Sequence, residues 1–247
     1  MWNNYKCSQL LLIAGVLALC IFPSCKKANN NYTLNYEYNY FPLDSGNYII
    51  YNVDSITYNF NGVTYQRDTV RFQWMRVVGD TFYDNQNRLS YKLYYYRRPD
   101  STYSNWTIDR VWWATLTTTN VQVQEDDLRF IKLVFPPALN ETWNGNLYIP
   151  SPPNDQYTVF QNWNYYYENI DTTFLLNGLT FNNSLIVSEV NQENLLNKTL
   201  RTEVYRQNVG MIYEEWEALS KQNVNADWIT GPEAGFRIRM YAWQYHE

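Results

Sequence analysis

The sequence predicts an all-β fold: a large antiparallel meander curled into a half-barrel or barrel, with a β-sandwich as the alternative. Three observations carry that prediction. Beyond residue 40, apolar and aromatic residues alternate with polar ones at a period of two, the pleat of half-buried strands. Aromatic residues make up 18% of the chain and charged ones only 17%, against about 25% charged in ordinary globular domains. That composition favours strands and is the opposite of a disordered one. Turn pairs such as Asn61-Gly62, Asn144-Gly145 and Asn177-Gly178 separate the alternating runs.

The first element is a targeting segment. Lys6 precedes an uncharged run over residues 10–22, LLLIAGVLALCIF. At 1.5 Å per residue it spans about 20 Å as helix, short of the roughly 30 Å hydrocarbon core, so it reads as the apolar region of a signal peptide. The following Phe22-Pro23-Ser24-Cys25 resembles the lipobox of bacterial lipoproteins, which implies a signal peptide over 1–24 and diacylation of Cys25. Cleavage there also removes Cys7 and Cys20, so no intrachain disulfide is expected. Two or more acyl chains suffice for stable anchoring. Residues 25–40, beginning with Lys26 and Lys27 and then rich in Asn and Tyr, read as a tether. The expected location is the outer membrane through this lipid, with the periplasmic or surface face left open.

A single all-β domain is expected over 41–247, with about ten to twelve strands. They are placed near 47–60, 63–78, 90–98, 106–119, 121–125, 128–135, 146–149, 157–170, 173–176, 184–190, 201–216 and 235–245. Val70, Phe72 and Trp74 alternate with Arg71, Gln73 and Met75, and Phe236, Ile238 and Met240 with Arg237, Arg239 and Tyr241. Leu195, Leu196 and Leu200 have helical spacing, but the stretch is short and reads as a turn holding one helical turn at most. The prolines at 136–137 and 150–153 interrupt strands as loops. No change of composition accompanies them, so they are not read as a domain boundary.

Several blocks carry a family resemblance. Tyr40-Phe41-Pro42-Leu43-Asp44-Ser45-Gly46-Asn47-Tyr48, followed by Tyr51 and Asp54, looks like an "FPL-x-x-G-x-x-W/Y-x-Y" opening. Residues 131–136 with Trp143-Asn144-Gly145-Asn146, and Tyr205 followed by residues 208–213, are similar to its central and late blocks. Together they resemble a family of Bacteroidetes-type lipoproteins, which implies a lipid-anchored all-β domain and supplies no catalytic residues. In physical terms, Pro42 fixes φ before the first strand, Gly46 can take the positive φ of a tight entry turn, and Gly210 suggests a bulge or close backbone packing.

The same counts exclude several chemistries. One histidine, the penultimate His246, and three cysteines cannot build a His-based acid/base pair, a His-rich zinc site or a Cys₄ cluster. No metal or other cofactor is expected. A net charge of −5 with no basic block speaks against nucleic acid. The tight carboxylate groups are Glu125-Asp126-Asp127, read as a turn, and Glu214-Glu215-Glu217. Glu215 and Glu217 share a strand face at roughly 7 Å, a separation a glycosidase could use, though a solvated edge is the commoner use of such residues. No catalytic residue is assigned. The surplus of 24 tyrosines and 10 tryptophans is the more specific feature. Tyr165, Tyr167, Tyr241, Trp243 and Tyr245 form the candidate binding face, a concave aromatic surface for a glycan or an envelope protein. The expected activity is a non-enzymatic binding or assembly module. The alternatives are a half-barrel carrier of acyl chains, and a glycan-cleaving enzyme using Glu215 or Glu217.

Overall fold

A computed structural model of the protein describes residues 37–99, 105–150 and 155–246. The signal peptide, Cys25 and most of the expected tether lie outside the described residues. The chain from Asn35 to Glu247 forms a compact unit. Among the described residues it is all-β, with two short 3-10 segments, and no helix is long and apolar enough to cross a membrane.

Twelve antiparallel strands make one sheet. They are β1 (Tyr48–Phe60), β2 (Tyr65–Tyr83), β3 (Leu89–Pro99), β4 (Thr107–Leu116), β5 (Asn120–Glu125), β6 (Leu128–Val134), β7 (Thr142–Trp143), β8 (Tyr165–Leu176), β9 (Leu179–Glu193), β10 (Asn197–Arg206), β11 (Gly210–Ser220) and β12 (Ala234–Tyr245). Their order is β6-β5-β4-β3-β2-β1-β12-β11-β10-β9-β8-β7, so consecutive strands pair except β6 and β7, which form the two edges, and β1 pairs with β12 at the centre. A meander of this length twists until its edges meet. The sheet is nearly closed into a barrel, and its seam is stitched largely by side chains. Ile131 N–H donates to Gly145 C=O at 2.8 Å. The Trp143 indole donates to Ile131 C=O at 2.9 Å. The Tyr167 hydroxyl accepts from Val134 N–H at 2.8 Å and donates to Val134 C=O.

The segment before β1 plugs one end. Tyr40, Phe41 and Leu43 are buried in the core, and the Tyr40 hydroxyl donates to Asp171 at 2.7 Å. Asn208 N–H donates to Asn39 C=O at 2.7 Å, and the Tyr38 hydroxyl to Thr118 C=O at 2.9 Å. The plug therefore contacts the β10–β11 and β4–β5 turns. Gly46 has φ +94° with open space around its Cβ position, so backbone conformation alone selects glycine there.

Several element boundaries differ from the alternation pattern. Residues 38–40, expected in the tether, form a 3-10 turn that carries the buried Tyr40. Residues 146–149 are turns, and the short pairing strand lies earlier, at β7. Asp155–Phe160 is a 3-10 segment, so the expected 157–170 strand starts at Tyr165, and β8 runs on through 173–176. The expected 201–216 strand is two, because Asn208 at φ 64° and Gly210 at φ +97° turn the chain between β10 and β11. A Cβ on Gly210 would stand 2.9 Å from Arg76 Nη2 and near the Pro42 and Ile49 side chains, so the close approach is of side chains and not of another backbone. Residues 194–196 are a hairpin turn that Asn194 Oδ1 holds by accepting from Leu196 and Asn197 N–H.

Candidate functional site

The barrel interior is not uniformly apolar. Six charged side chains from four strands and the β5 end meet inside it. Glu125 closes β5, Lys132 stands in β6, Glu189 in β9, Arg201 and Glu203 in β10, and Glu214 in β11. Two of them are aimed inward by β-bulges. Val121 pairs with Leu133 and Gln122 with Ile131, which leaves Lys132 unmatched. Arg201 pairs with Val190 and Thr202 with Ser188, which leaves Glu189 unmatched. A bulge inserts one extra residue and redirects its side chain, a device found at the rims of barrels and beside sites.

The Lys132 ammonium spends its three donors on three carboxylates: Glu203 at 2.7 Å, Glu125 at 2.9 Å and Glu189 at 3.1 Å. Arg201 reaches all four carboxylates, with Nε 2.9 Å and Nη2 2.8 Å from Glu214 Oε1, Nε 3.2 Å from Glu189 Oε2, and Nη2 3.4 Å from both Glu125 and Glu203. Its guanidinium is 4.7 Å from the centre of the Trp216 ring and 5.7 Å from that of Phe130. The Tyr205 hydroxyl donates to Glu203 Oε2. Lys132 occupies the place a cation would take among these carboxylates, and among the described residues no group of His, Cys, Asp and Glu is arranged to hold a metal ion.

Burial and charge pull the carboxyl groups apart. Glu189 is fully buried, and desolvation raises its pKa to about 8 against the opposing pull of Arg201 and Lys132. Burial also pushes Glu203 up, but Lys132, Arg201 and the bond from Tyr205 outweigh it and hold Glu203 at about 2. Burial raises Glu214. With Arg76 on the same interior, three cations face four carboxyl groups. A proton on Glu189 balances them, which is what the cost of burying a net charge demands.

Above this floor a cavity of about 240 Å³ is walled by Trp74, Trp112, Trp216, Phe130 and Phe160, with Arg110, Arg201, Glu125 and Glu214 among them. It lies by the β5–β6 turn, at Asp126, whereas the plug touches the β4–β5 turn. The two ends of β5 place these features at opposite ends of the barrel. Arg110 stacks on Trp74 at 4.8 Å and Trp112 at 5.4 Å, while the Trp112 indole donates to Asp126 at 3.0 Å. Three buried donors of the lining find no hydrogen-bond partner among the described residues: Trp74 Nε1, Trp216 Nε1 and Arg201 Nη1.

The five aromatic residues singled out from the sequence do not form one face. Tyr165 and Tyr167 are fully buried. The Tyr165 hydroxyl donates to Asn146 Oδ1 at 3.0 Å, and its ring packs where a Cβ on Gly145 would stand, 2.4 Å away. Tyr167 holds the seam. Tyr241 and Trp243 point outward, and Trp243 is 48% exposed. Tyr245 turns inward, because Ile50 pairs with Gln244 and Tyr51 with Ala242, a bulge at Trp243 that reverses parity. Its hydroxyl accepts from Arg206 at 2.9 Å. The acidic candidates Glu215 and Glu217 do share a strand face, but each is engaged by its own arginine. Glu215 pairs with Arg239 at 2.7 Å and Glu217 pairs with Arg237, each across to β12 on the outer face. Arg237 is covered there by the 221–233 loop, donating to Trp228 C=O at 3.1 Å.

Alternation did mark Trp74, and the acidic run marked Glu125 and Glu214. It gave no reason to join them, since the joining residues Lys132 and Glu189 sit on bulges. Compared with known proteins, the chain matches no family model and shows no significant similarity to a curated protein.

Proposed function

We propose that the protein is a non-enzymatic binding module of the bacterial cell envelope, anchored to the outer membrane through lipid on Cys25, and that the barrel mouth receives one ring of a glycan. The observation that carries this reading is the mouth itself: three tryptophans and two phenylalanines over a polar, charge-balanced floor. Indole and phenyl faces stack on the apolar faces of sugar rings, while fixed polar groups below read the ring's substituents. A volume of about 240 Å³ is below the roughly 300–1,000 Å³ of sites for larger ligands, which suits a single ring. The three mouth carboxylates are each engaged, Glu125 by Lys132 and Arg201, Glu214 by Arg201 and Asp126 by the Trp112 indole, an arrangement suited to positioning rather than proton transfer. The charged centre also interrupts the continuous apolar bore that an acyl chain would need.

The apolar leader and Cys25 support the anchor. Full-length protein purified in detergent should bind a subset of envelope-type glycans on an array, and Trp112→Ala should abolish that signal while leaving the fold intact. Metabolic labelling with palmitate should mark the wild type and not Cys25→Ser. A protein that binds no glycan, or retains full signal after loss of Trp112, would remove the binding reading. Unlabelled wild type would remove the anchor.

A further inference from the structure

We infer that the glycan is acidic: a neutral ring enters the mouth, and the residue next to it lays a carboxylate or phosphate on a ledge at Arg97. The inference rests on the glycan reading above and deepens it by naming the charge of the chain and the place that charge takes. β2 outruns β3 at the mouth end. Its pairing with β3 stops at Phe72, opposite Pro99, although β2 itself begins at Tyr65. Among the described residues the wall of the mouth thus continues past the rim as an open ledge. A cavity of about 360 Å³ lies there, lined by Val70, Phe72 and Thr107 together with Arg71, Arg97 and Arg98. It adjoins the mouth: Trp74, a wall of the mouth, pairs across the sheet with Arg97, and its ring packs edge-to-face on Phe72 at 5.1 Å.

The two cavities differ in charge. In the mouth, Glu125, Asp126 and Glu214 stand beside Arg110 and Arg201. On the ledge, three arginines and, among the described residues, no carboxylate line the space. Arg71 gives its Nε to Asp54 at 3.0 Å. Arg98 gives its Nε to Gln73 at 2.7 Å and stacks on Trp106 at 4.2 Å. Arg97 is exposed and is held by a ring instead, its guanidinium 4.0 Å from the centre of Phe72, with no carboxylate paired to it among the described residues. Stacking fixes the plane of a guanidinium and leaves its N–H fork available to a carboxylate or phosphate. Asp68, on the same face of β2, lies four residues from Phe72, about 13 Å along the strand. An anion in the mouth would meet three carboxylates, whereas on the ledge it meets arginines, so the neutral ring goes in and its acidic neighbour stays out. Because the ledge is open to water and salt, the anion adds selectivity that salt can screen.

The test uses a glycan array on which each neutral oligosaccharide is printed beside its uronate and phosphate counterparts, probed with detergent-solubilised full-length protein. The strongest neutral and acidic pair is then titrated in solution by tryptophan fluorescence, alongside inorganic phosphate, with wild type and Arg97→Gln. The acidic member should bind about tenfold tighter than its neutral counterpart at low salt, the scale of a hydrogen bond to a charged group. Most of that margin should vanish at about 1 M salt, where the screening length falls to about 3 Å. Arg97→Gln should erase the margin and leave binding of the neutral member unchanged. Equal binding of the two members, or an Arg97→Gln variant that keeps the margin, overturns the inference and leaves the glycan reading standing. Inorganic phosphate bound as tightly as the acidic glycan also overturns it, since the ledge would then take a free anion and not a chain seated in the mouth. Binding to no glycan, neutral or acidic, overturns both.

Discussion

Glu189→Gln tests the electrostatics of the interior most directly. Glu189 is fully buried, bridged to Lys132 at 3.1 Å, and raised by burial from 4.5 to about 8. The folded protein therefore keeps a proton that the unfolded chain releases above pH 4.5. Stability from this group is fully present below pH 4.5 and is lost as pH rises through the folded value, because the native state binds the extra proton. At about 1.4 kcal/mol per unit, the whole displacement corresponds to roughly 5 kcal/mol, of which about 4 falls between pH 5 and 8. Glu214, also raised by burial, acts in the same sense. Glu203, held at about 2, acts in the opposite one: its contribution is present above pH 4.5 and lost only as pH falls toward 2. The two slopes place the stability maximum near pH 5. For a domain of this size, where 1 kcal/mol moves Tm by about 2–4 °C, the wild type should lose roughly 10 °C between pH 5 and 8. Gln mimics the protonated acid and can keep its carbonyl toward Lys132. The variant should match the wild type at pH 5, lose most of the slope, and be the more stable protein at pH 8. Thermal melts by circular dichroism across pH 4–9 measure this. A wild-type Tm that is constant or rising from pH 5 to 8, or a Gln variant with an unaltered slope, would refute the assignment of the proton to Glu189.

Four further substitutions probe the framework by chemical denaturation at pH 6. Lys132→Met strips the shared cation from Glu125, Glu189 and Glu203 and should cost about 3–5 kcal/mol, the range for breaking a buried pair from one side; a loss under 1 kcal/mol would mean the cluster contributes little. Tyr167→Phe removes both seam bonds to Val134 and should cost about 1–3 kcal/mol, with hydrogen exchange at Val134 rising most; unchanged protection there would show the seam held by other contacts. Gly235→Ala combines φ +112° with a Cβ 1.9 Å from Ala218 C=O and should cost more than about 2 kcal/mol, whereas Gly46→Ala, with open space, should cost only the roughly 1–2 kcal/mol of its backbone strain. Equal losses at the two glycines would contradict the close approach of β11 and β12.

The strand content was legible because alternation reports which face a residue takes: Phe72 and Trp74 join the interior core while Arg71 is exposed, although Gln73 on the opposite face is itself buried, bonded to Asn52 and Arg98. The same rule fails at a bulge. Trp243 and Tyr245 share a parity in sequence, yet one faces solvent and the other the interior, because a bulge lies between Ile50 and Tyr51 in the partner strand's register. The β10–β11 turn was hidden for a different reason. Gln207-Asn208-Val209-Gly210 interrupts an apolar run without a two-residue turn signature, and its positive φ values at Asn208 and Gly210 show only in three dimensions. The acidic residues were visible as a run, but consecutive carboxylates in a strand point to opposite sides. Glu214 belongs to the interior and Glu215 to the outer ion pair with Arg239, so the cluster in sequence is two unrelated features in space.

Arg201 links these levels. It completes the charge balance of the floor through Glu214 and Glu125, packs its guanidinium near Trp216, and leaves one nitrogen unpaired beside the mouth. An apolar core of equal volume would make a barrel of similar or greater stability, since burying ions rarely gains free energy over well-packed hydrocarbon. What the ions supply is direction. Lys132 and Glu189 can meet only if both bulges form, which ties the registers of β5–β6 and β9–β10 to each other across the interior. Those registers in turn fix where Arg201 stands, and therefore where its free nitrogen lies relative to the tryptophan walls. The charged floor is thus best understood as the alignment device for the mouth, with stability spent on geometry.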